Sequence, residues 1–400
     1  MKCIFCEAEL FPATKPEHIL LAALGGKKTS RRIVCSECNN DLGSVVDKEL
    51  TDQVAFVRSL LRLQSGDGSP APMRKKVKAG DDVINVLGDG TLELSKPFEA
   101  IRNADGTYAL SIKADSPEEF EQNIRHIAAM LGTTEQHIMD QINASGVTQI
   151  TRRPGVIQQS LSFGGPLANR SIVKSCLELW AIEVGNEEIL SASYEDTRRF
   201  VRLGDEAYAT SRIELDSRYL PMLDELTAKF GDFFNLIYVA SDETGRVVGH
   251  FTLYNLIAWQ IILADRGGSP NRRVALISNP EMPNEWSDTI AEGLAIDWGW
   301  LTSPDYYGDD LARARTRLAA LMKYHQKESL SQNALGIIEE VIEKHGLSGK
   351  PADPMSEAQK RMIGEMSNRF ALSVLNLPYE EKLSADDLRQ FLERSAKRRT

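Results

Sequence analysis

At 400 residues with 42% hydrophobic side chains, the chain is long enough to form two or three globular domains around substantial cores. Its net charge of -10 argues against a surface that contacts nucleic acid throughout. No run approaches the roughly 20 apolar residues of a membrane span, since the longest, residues 253–264, is broken by Tyr254, Asn255 and Gln260, and the opening Met1-Lys2-Cys3-Ile4-Phe5-Cys6-Glu7 lacks a secretory apolar core, so a cytoplasmic protein is expected.

The charge is uneven. Residues 1–80 hold 13 Lys/Arg against 9 Asp/Glu, a balance of +4, which leaves -14 on the rest. Lys27, Lys28, Arg31 and Arg32 fall within six positions, and Arg74, Lys75, Lys76 and Lys78 form a second cluster that reads equally well as solvated loop charge. Four of the five cysteines lie in two C-x2-C pairs, Cys3/Cys6 and Cys35/Cys38. Two-residue spacing lets both thiolates of a knuckle reach one ion, and two knuckles complete the tetrahedral shell of a structural zinc. Disulfides are the competing reading, disfavoured by reducing cytosol. Between the knuckles, residues 16–20 and 33–35 read as two short strands joined by a loop that carries Gly25-Gly26 and the first basic cluster. After Cys38, Leu50, Val54, Val57, Leu60 and Leu61 recur at helical spacing.

Cys3-x2-Cys6, Glu17-His18-Ile19, Gly25-Gly26 and Cys35-x2-Cys38-Asn39-Asn40, with Gly43 and Asp47, resemble the HNH endonuclease family in its four-cysteine zinc branch, over about residues 3–62. The resemblance implies a ββα-metal fold in which a hairpin and a helix clasp a divalent cation while a separate zinc holds the ends. It implies that His18 is the general base that activates water, and that Glu17 and Asn39 hold the catalytic Mg2+ or Mn2+. A phosphodiester attacked by water needs a base with a pKa near neutrality and a cation against the charge on the leaving oxygen. Three local expectations follow. Alternation along a strand keeps Glu17 and His18 from both projecting inward, so an irregular backbone is expected there. Ser30 stands where many members have a middle Asn, so base orientation passes to a shorter side chain, a backbone carbonyl or Asn40. Asp47, about 12 Å along the helix from Asn39, is expected to form a structural salt bridge or cap, and Gly43 to pack closely against the hairpin or a knuckle.

Residues 65–72, Ser-Gly-Asp-Gly-Ser-Pro-Ala-Pro, read as a linker or exposed loop. Residues 83–87, 91–94 and 108–112 read as strands, with 103–106 as turn material. Ser116 caps a helix running toward Met130, and another helix follows Thr134. A strand over 157–163 precedes an apolar helix over 168–184, in which Cys176 is a core residue. Strands recur at 236–240 and 247–253, and helices at 311–324, 335–345, 356–375 and 385–397, with 349–354 as a connector. His126, His137, His250, His325 and His345 are scattered and read as structural or exposed.

The expected architecture is α+β: an HNH module over 1–64, a mixed α+β regulatory or specificity region over 75–307 and a helical region over 308–400. The leading functional reading is a metal-dependent DNA endonuclease with a structural Zn2+, its phosphate contacts made by Lys27, Lys28, Arg31 and Arg32. By analogy it serves as a gated antiphage effector, with a regulatory ligand, a protein partner or a second copy bound through the later regions. Two alternatives stand beside it: a zinc-dependent nucleic-acid-binding protein without cleavage activity, and a regulatory scaffold.

Overall fold

The computed structural model describes residues 1–399 apart from 81, 105–106, 115–116, 152–156, 158–160, 283–285, 288–293, 306–309, 347–355 and 376. The expected cap at Ser116, the end of the turn at 105–106, part of the strand at 157–163 and the whole connector at 349–354 lie outside the described residues. The fold is α+β. It divides into two compact units, Met1–Arg74 with Leu87–Thr91 and Ser160–Tyr324, and Lys75–Val86 with Leu92–Gln159 and His325–Thr400. These units interleave along the chain.

In the first unit, β1 (Glu17–His18) pairs antiparallel with β2 (Thr29–Ser30), Glu17 opposite Ser30 and His18 opposite Thr29. The second strand thus precedes the expected 33–35. Ile33 and Val34 are buried instead, and the Ile33 carbonyl accepts the Ile4 N–H, so that segment serves the cysteine centre. Helix α1 (Ser36–Leu42) runs through a π-helical turn, Gly43–Asp47, into α2 (Lys48–Leu60). The wide turn re-phases the helix so that Val46 and Asp47 both face inward. A Cβ at Gly43 would meet nothing within 4 Å, so the close packing expected there is absent.

Helix α3 (Pro166–Val184) starts on Gly165 with Pro in its first turn and stops at Gly185. Residues Ser171 to Ala181 are all buried, as expected of a helix enclosed on every side. Beyond it lie α4 (Glu195–Leu203) and the strands β3 (Ile213–Asp216), β4 (Asn235–Ser241), β5 (Val247–Leu253), β6 (Ile257–Ala264), β7 (Arg273–Ser278) and β8 (Trp286–Ser287). The strands form one antiparallel sheet in the order β8-β7-β4-β5-β6-β3.

Alternate residues of β4 feed opposite faces. Ile237 and Val239 join the core that runs through α3 to Ile4, Leu20 and Val54, whereas Leu236, Tyr238 and Ala240 pack with Phe230, Leu294 and Leu301. Because both faces are covered, these strands read as continuous apolar runs. The apolar run at 253–264 is a turn, with Tyr254 and Asn255 at positive φ, followed by β6, and among the described residues no helix is long and apolar enough to cross a membrane.

His250 sits in β5 at 2% exposure, with Nε2 3.0 Å from Thr252 Oγ1 and Nδ1 3.8 Å from Asp216 Oδ2. Burial lowers its pKa to about 4, against the opposing pull of Asp216. The unfolded chain binds this proton at about pH 6.5, so the folded state loses stability as pH falls from there toward 4, by roughly 3 kcal/mol. Urea midpoints at pH 7 and pH 4.5 should differ more in the wild type than in His250→Gln. An equal difference in the two proteins would refute this assignment.

The loop at 65–72 belongs to the first unit and lies just before the point at Arg74 where the chain leaves it. Gly66 N–H donates to the Ala22 carbonyl and Gln64 N–H to that of Pro280, while Arg58 Nη2 donates to Ser65 Oγ, so the loop folds back on the first unit.

The second unit carries the strands Asp82–Val86 and Leu92–Leu94, the hairpin of Phe98–Arg102 with Tyr108–Ile112, and the helices Pro117–Leu131 and Glu135–Ser145, the latter capped by Thr134. Val147–Thr151 pairs antiparallel with Tyr379–Leu383. Phe120, Ile124, Ile127, Ile138 and Leu392 form its main core. Residues 311–345 belong to one helix, Asp310–His345, where two were expected, and Glu357–Val374 and Ala385–Arg399 follow.

Candidate metal centre and the Glu17–His18 hairpin

Local hydrogen bonds build each knuckle, and longer ones join them. Cys3 N–H donates to the Ala8 carbonyl and Glu7 N–H to that of Cys3, with Glu7 at φ 62 closing the turn. Cys35 caps α1, its Sγ accepting the Cys38 N–H at 3.4 Å. The Asn186 amide donates to the carbonyls of Lys2 (2.7 Å) and Arg32 (2.8 Å), one beside each knuckle. The four sulfurs lie within 4.8 Å of one another, Cys6 and Cys35 at 3.5 Å, and all four thiols are free.

A tetrahedral shell with Zn–S bonds of about 2.3 Å places its sulfurs about 3.8 Å apart, so the cluster fits zinc. Contact with Cys38 holds the Cys3 thiol down to about 4, and the same contact pushes Cys38 up. One negative charge is thus already favoured where a cation would draw out the others.

The hairpin is tied to the centre by its neighbours. Asn39, buried on α1 directly after Cys38, donates Nδ2 to the Pro16 carbonyl at 3.1 Å, which ties α1 to the start of β1. Ile19 N–H donates to the Lys28 carbonyl and extends the β1–β2 ladder. The ladder is in register, so the irregular backbone expected at Glu17 and His18 is absent. Glu17 is 4% exposed, while His18 is half-buried.

Gly25 takes φ 83 to turn the chain, and a Cβ on Gly26 would fall 2.0 Å from the Leu20 carbonyl oxygen. Gly26→Ala is therefore expected to destabilise the protein by about 1–3 kcal/mol. An unchanged thermal midpoint would contradict this close approach.

Glu17 does not face solvent. Its Oε1 accepts from Lys174 Nζ at 2.6 Å, and its Oε2 is buried without a hydrogen-bond partner among the described residues. Burial raises its pKa against the pull of Lys174. Lys174 also donates to Asp47 Oδ2 at 2.9 Å, and Asp47 Oδ1 accepts from Ser171 Oγ at 2.7 Å, so Asp47 is the structural salt bridge expected of it.

Burial lowers the His18 pKa below the ordinary imidazole value and nearby Lys174 lowers it further, which keeps the ring neutral at neutral pH. Ser30 stands opposite Glu17 rather than His18, and its Oγ accepts the Arg32 N–H. Asn40 Oδ1 accepts from Lys15 Nζ. Among the described residues, neither Ser30 nor Asn40 is hydrogen-bonded to His18. Of the basic cluster, Lys27 and Lys28 are half-buried and Arg31 and Arg32 exposed, with the Arg31 guanidinium donating to the Thr14 carbonyl at 2.6 Å.

Sequence reasoning missed Lys174, Glu178 and Ser171. The available signal was a Lys and a Glu at i, i+4 in a helix with no polar face.

Residues 3–55 match the family model described as HNH endonuclease. No curated protein and no solved structure matches the chain. The matched segment contains all four cysteines of the centre, Glu17, His18 and Asn39. With those cysteines placed to bind a metal ion, the segment matches an N-terminal HNH zinc module.

Proposed function

From an N-terminal HNH zinc module we propose a metal-dependent endonuclease that hydrolyses DNA phosphodiester bonds. The observation that carries this reading is the placement of His18, of Glu17 with an Oε2 unpartnered among the described residues, and of Asn39 on one hairpin and one helix fastened by the four cysteines. His18 takes the proton from a water as the water oxygen attacks phosphorus and the ester oxygen departs. Glu17 and Asn39 are the residues that would hold a divalent cation, and carboxylate and amide oxygens are the hard donors that suit Mg2+ or Mn2+. When bound, such a cation offsets the charge that builds on the scissile phosphate. Lys27, Lys28, Arg31 and Arg32, on the loop through β2, supply phosphate contacts, which accounts for a basic footprint on an acidic protein. The regions beyond the module supply specificity or gating through a ligand, a protein partner or a second copy.

One observation favours the alternative, a zinc-dependent DNA-binding protein without cleavage: the Ser30 hydroxyl is engaged by Arg32 N–H and does not orient His18. Plasmid nicking and linearisation with Mg2+ or Mn2+ separates the two. Metal-dependent cutting is expected. Salt-sensitive binding with every phosphodiester intact would leave only the binding protein.

A further inference from the structure

Lys174 is fully buried, and no role given so far uses it. Helix α3 is enclosed on every side, so its ammonium cannot reach water. Burial alone would lower the Lys174 pKa, but Asp47, Glu178 and Glu17 outweigh it and hold the ammonium charged. Of its three N–H directions, one meets Glu17 Oε1 at 2.6 Å and one Asp47 Oδ2 at 2.9 Å, while the nearest Glu178 oxygen is at 3.6 Å, too long for a hydrogen bond. Ser171 holds the far oxygen of Asp47. The carboxylate of Glu17 is thereby pinned by one oxygen with the other left over, buried and without a partner among the described residues. A buried acceptor in that condition is costly unless something else takes its lone pair.

We propose that Lys174 is a positioning residue of the candidate nuclease site, holding Glu17 by Oε1 so that Oε2 is presented to a divalent cation. Ser171 and Asp47 hold Lys174 in turn. The inference rests on the endonuclease reading and extends it: the site is completed by a helix more than a hundred residues beyond the matched segment. Partners that orient metal-binding carboxylates act in this way in other sites.

Mn2+ binding by the zinc-loaded full chain without DNA, read by electron paramagnetic resonance, tests the proposal. As a mere counter-charge, Lys174 would repel the cation, and Lys174→Gln would tighten Mn2+ binding. As a positioning residue its loss is expected to weaken Mn2+ binding about tenfold or more, with zinc content close to wild type at a temperature where the variant is folded. Equal or tighter binding overturns the proposal. Should Lys174→Gln fail to fold, Ser171→Ala loosens Asp47 and Lys174 without changing charge. Weaker Mn2+ binding is again expected, and unchanged affinity overturns the proposal. Glu17→Gln separates the two levels of inference. If wild type and Glu17→Gln bind Mn2+ equally, the metal role of Glu17 fails and this inference with it. If Glu17→Gln loses Mn2+ while Lys174→Gln and Ser171→Ala keep it, only the positioning role falls.

Discussion

Replacing His18 by alanine is expected to lower the rate of plasmid cleavage by about 10²–10⁴-fold, the range a positioned general base contributes, while zinc content stays unchanged. The second half of this expectation follows from His18's place in the module. His18 is half-buried, at the end of a two-residue strand whose register depends on backbone hydrogen bonds, and its ring has no hydrogen-bond partner among the described residues. Truncation therefore removes the imidazole, the proposed proton acceptor, without breaking a contact that holds the module. DNA affinity should also survive, because the proposal gives the phosphate contacts to Lys27, Lys28, Arg31 and Arg32. Single-turnover cleavage, read beside a binding titration at fixed salt, checks both parts. If His18→Ala cuts as fast as wild type, His18 is not the base. If it loses binding as steeply as cutting, its role is structural. His18→Ala and Glu17→Gln should also differ, the former keeping Mn2+ and the latter losing it.

What the sequence reveals about this site depends on the range of the interaction. The cysteine pairs are legible because each knuckle is local, and Asn39 is legible because it follows Cys38 directly. Asp47 is half legible: its spacing excludes it from the Asn39 position, and a salt bridge is expected, but its partner lies 127 residues later in α3. Lys174 is not legible as a partner of Glu17, since the apolar run around it points only to a buried helix and the pair is separated by 157 residues. The π-helical turn at Gly43–Asp47 leaves no local mark either. Gly43 invites an explanation by close packing, yet nothing lies near its Cβ position.

The sheet divides the same way. Strands β4 and β5 are found through the turn residues between them, Ser241 to Gly245. By contrast, β6 and β7 are covered on both faces and lack the alternation that marks a half-exposed strand. The helix Asp310–His345 was divided where its apolar periodicity lapses around 325–334, but that stretch holds no Gly or Pro to stop it.

Stripping the metal from the four-cysteine centre should have the larger structural effect. Elsewhere such centres carry about 10–16 kcal/mol of binding free energy that is also folding free energy. This module has little else of its own. Its two strands are two residues long, too short to stand without support. The segments that carry Ile4 and Ile33 meet where the knuckles close, joined by one backbone hydrogen bond between these two residues. Chelation, or Cys35→Ser, is therefore expected to abolish amide protection at Ile4, Ile19 and Val34, and nuclease activity with it. The sheet has an independent anchor. Leu236, Tyr238 and Ala275 pack on the face away from the module, against Phe230, Phe234 and Leu301. Protection at Ile237 and Val239 should fall only in part, because those residues share their core with Ile4 and Val54 but stay within the β5-β4-β7 ladder. Hydrogen exchange on metal-loaded and stripped protein separates the possibilities. Unchanged protection at Ile4 and Val34 after complete zinc removal would show that the centre is not structural. Equal loss across the module and β4 would show that α3 binds them into one cooperative unit.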